Sequence, residues 1–119
     1  MPLRVVDQTR GLVIADRADI ANTNEKRRRG LLDRTFIRQQ EGLWIVPCAS
    51  IHTVGMNFPI DVLFIDHSGR IVQIEPVLNP GCKHFSASAA LAYSVLELAP
   101  GRAAACGAEA GDVLLFQRS

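Results

Sequence analysis

Cys48 and His52 stand four residues apart, and Asp61 and Glu97 follow further along the chain. A thiol, an imidazole and a carboxylate are the residue types of thiolate chemistry: the imidazole takes the thiol proton, and Asp61 or Glu97 orients the ring. Spacing alone does not assemble such a set, and a single cysteine beside a strand end is more often a packing residue. No Gly-rich elbow surrounds any Ser or Cys, and Gly-x-Ser-x-Gly is absent. A small hydrolase or transferase using Cys48, His52 and Asp61 is therefore the second expectation, behind a binding role.

Zinc is the other chemistry these residue types suggest. Cys48 with His52 and Cys82 with His84 supply two thiols and two imidazoles. Neither spacing matches the usual Cys-x2-4-Cys and His-x3-5-His pairs, so no metal is expected. Phosphate-loop and dinucleotide fingerprints are missing as well, and no cofactor is expected. Lys26-Arg27-Arg28-Arg29, with Arg34 and Arg38, could touch phosphates. No aromatic residues are interleaved as stacking platforms, so the run reads as the solvated face of a helix and nucleic acid is not an expected partner.

The remaining weight falls on Ser50 to Asn57. It mixes groups that donate and accept with adaptable Met56 and the bare backbone of Gly55. The expectation is a non-catalytic accessory module that binds a small molecule or a protein, with Cys48, His52, Thr53, Met56 and Asp61 as candidate contacts. Asp61 carries a further inference. In an extended strand Ile60, Val62 and Phe64 face one way and Asp61, Leu63 and Ile65 the other. Both rows are apolar, so the strand is expected to be covered on both sides. Asp61 must then have partners, expected among His52, Thr53 and the free N–H groups before Phe58.

The elements that must position these residues are mostly strands. Gly11 to Ala15 is β-branched, and Ala18 to Ala21 reads as a second strand paired with it across Asp16-Arg17. Asn22 followed by Glu25 resembles a capping box opening a short helix to Arg29, stopped at Gly30. Leu43 to Val46 ends at Pro47. Ile60 to Asp66, the turn His67 to Arg70, and Ile71 to Glu75 make the clearest hairpin. Asn79-Pro80-Gly81 is a loop. Tyr93 to Leu98 alternates as a strand, whereas Ser86 to Ala92 is ambiguous between helix and strand. Arg102 to Cys106 is a helical turn stopped by Gly107, and Val113 to Phe116 is a last strand. The fold class expected is α+β: a mostly antiparallel sheet, curled or barrel-like, with one short helix in the N-terminal half and a helical turn near the C-terminus.

Composition narrows the function classes. A chain of 119 residues that is 48% hydrophobic and 21% charged can fold as one domain, here residues 1–119, without metal or disulfide support. A net charge of +1 carries no footprint for nucleic acid or an anionic membrane. Three widely spaced cysteines do not make a disulfide scaffold. Arg4 breaks the first apolar run, and no stretch nears the ~20 apolar residues of a membrane span. Cytoplasm is the expected compartment.

A resemblance adds to this reading. The chain resembles the bacterial and archaeal family called domain of unknown function 192. It does so at Arg29-Gly30-Leu31-Leu32, Gly42-Leu43-Trp44-Ile45, Pro47-Cys48 with Ile51-His52-Thr53, and Met56. The likeness continues through Phe58 to Val62, Phe64-Ile65-Asp66 with Gly69, Val95 to Leu98, Gly101, and Gly111-Asp112. Ile51 to Asp66 is its most specific block. Asn57 and Gly55 depart from residues common there, and Cys82-Lys83-His84 is not a hallmark. The resemblance implies a β-rich fold with little helix, and it implies no reaction.

Overall fold

The computed structural model describes residues 2–86 and 91–118, and its strands follow the apolar alternation of the sequence. β1 (Leu3–Asp7) turns back into β2 (Leu12–Ala21). Asp7 shapes the turn: its Oδ1 accepts from Arg10 N at 3.2 Å and its carbonyl accepts from Gly11 N at 2.8 Å. β2 is one strand, not the two expected to meet at Asp16-Arg17. Those residues form a β-bulge instead. The register to β1 slips there, both residues are exposed, and both amides donate to the Gln40 carbonyl, at 3.0 and 3.2 Å. One extra residue in one strand bends it without reversing it, so β2 can leave β1 and continue beside another strand.

That neighbour is β3 (Glu41–Ile45), which runs parallel to β2. A parallel pairing needs a crossover, and residues 22–40 supply it with α1 (Asn24–Arg29). The N-cap is Thr23, not Asn22: its backbone is extended and its Oγ1 accepts from Lys26 N at 3.1 Å. Gly30 closes the helix as expected, its N–H donating to the Lys26 carbonyl.

β4 (Ser50–Ile51) pairs with β7 (Phe85–Ser86) in a small separate sheet that the sequence did not suggest. β5 (Ile60–Ile65) and β6 (Ile71–Leu78) form the hairpin, and β8 (Ser94–Leu98) lies between β5 and β3. The ambiguous stretch before β8 falls largely on residues 87–90, outside the described residues. α2 (Arg102–Cys106) packs on β2 and β6, and β9 (Leu114–Arg118) returns to β1. The main sheet has the order β6-β5-β8-β3-β2-β1-β9, antiparallel throughout except at β2 and β3.

The sheet curls until its outer strands meet at one corner. Arg70 and Val113 form a bridge, Ile71 N donates to the Asp112 carbonyl and Leu114 N to the Gly69 carbonyl, both at 2.8 Å. Curling puts one core inside and one outside. Leu63, Ile65, Leu96 and Leu98 join Val5, Ile14 and Leu114 within the curl, where Trp44 stacks on Phe116. Ile60, Val62, Phe64 and Val95 face outward and are covered by Leu31, Ile37, Ile51 and Met56. β5 is buried along its whole length, as its two apolar rows require. No helix among the described residues is long and apolar enough to cross a membrane.

Candidate functional site

A cleft of about 330 Å³ opens where the covering layer meets the outer face of β3 and β8. One wall is the last turn of α1 with Leu31 and Leu32, and the other is the segment from Pro47 to His52 with Met56. Ile45 and Glu97 form the floor. Alternation along β8 explains that floor. Val95 and Glu97 face outward while Ser94, Leu96 and Leu98 face into the curl, where Ser94 Oγ accepts from Trp44 Nε1 at 2.9 Å.

Glu97 is 4% exposed, and the residues paired directly beside it, Leu43 on β3 and Val62 on β5, are apolar. No donor among the described residues lies within hydrogen-bond distance of its carboxylate. Burial alone pushes the carboxyl up from 4.5 to about 7. An ionisable group left without a partner in such a place is costly and is commonly a site group.

Above the floor the chemistry is mixed. Cys48 N is held by the Tyr93 carbonyl at 2.8 Å, and its Sγ donates to the Ser50 carbonyl at 2.9 Å. Burial raises the thiol; Glu97 raises it further and Arg27 lowers it, so the three groups lie within electrostatic reach of one another. A raised thiol is protonated at neutral pH and is a poor nucleophile. Arg27 is bonded to Asn24 Oδ1 and Arg29 to Glu25 Oε1, while Arg28 has no ion-pair partner among the described residues.

Of the candidates drawn from the sequence, Cys48, His52 and Met56 come together in this cleft. His52 is exposed at its edge, and Met56 is 8% exposed. Thr53 and Asp61 are elsewhere. Thr53 is fully buried and ties two loops together: its Oγ1 donates to the Asn79 carbonyl at 2.7 Å and accepts from Cys82 N at 2.9 Å. Asp61 faces into the curl, and its partners are not those expected. Oδ1 accepts from Val77 N at 2.9 Å and Gly101 N at 3.0 Å, and Oδ2 from Ala103 N at 2.9 Å. It holds the bulge of β6, where Val77 has a φ of 49°, and the first turn of α2, not the loop before Phe58. Cys48, His52 and Asp61 therefore do not meet as a set. Cys82 and His84 stay on a separate loop, and no metal-holding group of three or more side chains occurs among the described residues.

From the sequence, Glu97 stands out only as a partner for His52, and Arg27 to Arg29 as a phosphate contact or, more readily, a solvated face. A usable signal existed for Glu97: it is the one charge in the row Tyr93, Val95, Glu97, the same anomaly that drew attention to Asp61.

No curated protein matches the chain. Among solved structures it is similar to a protein of unknown function from Novosphingobium aromaticivorans DSM 12444. The two are 26% identical with a TM-score of 0.83, over 97% of this chain and 84% of that one. A chain from Sinorhizobium meliloti 1021, described as a candidate transcription regulator, is 22% identical with a TM-score of 0.82, over 96% and 91% of the two chains, and shows the shared fold alone. The model of domain of unknown function 192, an uncharacterized ACR, matches residues 5–116. This chain belongs to that family.

Proposed function

We propose that this chain is a non-catalytic module that binds a small ligand in the cleft floored by Glu97. The carrying observation is the buried carboxylate without a donor at the bottom of an opening whose size, about 330 Å³, lies within the range of small-molecule sites. A ligand that donates to Glu97 recovers part of the desolvation cost the empty protein bears. The protonated Cys48 thiol and the distance of Asp61 from the cleft favour binding over nucleophilic catalysis.

Met56 lies against this cleft and is one of two methionines in the chain, so a labelled methyl group gives a nearly isolated reporter. Titration with a fragment set of amines, amides, alcohols and carboxylic acids is expected to move the Met56 methyl resonance saturably. Glu97→Gln is expected to change which fragments do so. A Met56 signal that no fragment moves, together with selective fast labelling of Cys48 by a thiol-reactive probe, would replace the module with an enzyme.

A further inference from the structure

The chemistry of the cleft changes from bottom to top, and that gradient narrows the ligand. At the floor the Glu97 carboxylate lies between Leu43 and Val62, with no donor among the described residues. Hydrocarbon follows: Leu31, Leu32 and Met56 line the middle. The rim is cationic, because Arg27, Arg28 and Arg29 project from consecutive positions of α1. Arg29 is paired with Glu25 and Arg27 is tied to the neutral Asn24 amide, which leaves Arg28 as the arginine with neither kind of bond among the described residues. The other titratable groups facing the cleft are the Cys48 thiol and His52.

We infer that the occupant is a small zwitterion, with an ammonium seated on Glu97, a short apolar stem, and a carboxylate or phosphate on the Arg28 side of the rim. This rests on the reading of the cleft as a ligand site. Each end fits only one polarity. An anion at the floor would face a buried carboxylate across an apolar gap with nothing to screen it. A cation at the rim would meet the arginines of α1 that line it. An ammonium on Glu97 supplies the missing donors and a charge-assisted bond at once. The volume suits a compact ligand, not a polymer.

The titration of Glu97 gives the inference a signature. Burial lifts its carboxyl to about 7, and an ammonium favours the ionised form. Below neutrality the ligand must expel a proton to bind. Affinity for a zwitterion is therefore expected to fall roughly tenfold from about pH 8 to about pH 6.

The test compares 4-aminobutyrate, 5-aminovalerate and O-phosphoethanolamine with the single-headed butyrate and butylamine. It uses calorimetry and the Met56 methyl signal of the full chain. At least one zwitterion is expected to bind tenfold or more tighter than either single-headed probe. Glu97→Gln removes that advantage and the pH dependence. Arg28→Ala, at an exposed position that spares the fold, brings the best zwitterion down to butylamine. Butylamine or butyrate binding as tightly as every zwitterion overturns the inference, as does a pH dependence that survives Glu97→Gln. If only neutral fragments, or a lysine-containing peptide, move Met56, the zwitterion is wrong while the cleft remains a binding site. If nothing moves Met56, the binding-module reading fails as well.

Discussion

Asp61 and Glu97 are buried carboxylates on adjacent strands, β5 and β8, and they differ in what surrounds them. Asp61 receives three backbone N–H groups from two elements, enough to satisfy a carboxyl group in a dry interior. Glu97 receives none from the described residues. The first arrangement is fastening, and the second leaves a valence open to something from outside. Removing one partner of a buried charged hydrogen bond costs roughly 2–4 kcal/mol. Asp61→Ala is expected to lose at least that much in denaturant unfolding, because all three amides are orphaned together. Asp61→Asn keeps an acceptor for Val77 and Gly101 but turns its amide towards Ala103 N–H or the reverse, so it loses less. An Asp61→Ala protein as stable as wild type would mean that the amides find other acceptors and that the pin is dispensable.

At the scale of elements the decisive contact is the corner where the β5–β6 turn meets β9. Gly69 has a φ of +88°, and a Cβ there would come within 2.8 Å of the Leu114 carbonyl oxygen, the group beside the bond that closes the corner. Gly81 has a similar φ of +95° with nothing near its would-be Cβ. Both glycines carry the backbone penalty of a left-handed residue, about 1 kcal/mol or more when replaced. Only Gly69 adds a steric collision with backbone. Gly69→Ala is therefore expected to lower stability by about 1–2 kcal/mol more than Gly81→Ala, and to speed amide exchange at Leu114 and Ile71. Equal losses at the two positions would show that the corner yields without cost.

Over the whole molecule, the carboxyl groups set an unusual pH dependence. Burial raises Glu97 from 4.5 to about 7. It also raises Asp7 from 3.8 to about 6, with help from the neighbouring Asp112 carboxylate and against the pull of Arg10. A raised carboxyl stabilises the fold fully below its unfolded value, and that contribution is lost as pH climbs through the folded one. Asp112, bonded to Arg10 at 2.6 Å and pulled down to about 2, acts in the opposite sense and loses its contribution only as pH falls through that value. Stability is thus expected to peak near about pH 4 and to decline to about pH 7. Glu97 alone supplies on the order of 3 kcal/mol of that decline. Urea unfolding at several pH values checks this. Glu97→Gln should flatten the upper part of the profile and leave the protein more stable than wild type at alkaline pH. A wild type that gains stability from pH 4 to pH 8 would refute the assignment.

Local signals were enough for the hairpin of β5 and β6, the alternation of β8, the stop at Gly30 and the turn of α2, because periodicity and turn residues act over a few neighbours. The burial of β5 on both faces was legible for the same reason, and with it the need of Asp61 for partners. Which partners it finds was not legible. Val77, Gly101 and Ala103 lie 16, 40 and 42 residues away, and only the order of strands brings their amides to one point. The bulge at Asp16-Arg17 read as a turn because both features put two polar residues between apolar ones, and pairing across the sheet separates them. Cys48, His52 and Met56 were recognisable as polar or adaptable residues around one loop. That they line a cleft, that Thr53 between them is a fastener, and that Glu97 forms the floor were decided by packing. Residue type fixes what a side chain can do, but only the fold decides whether a neighbour has already satisfied it.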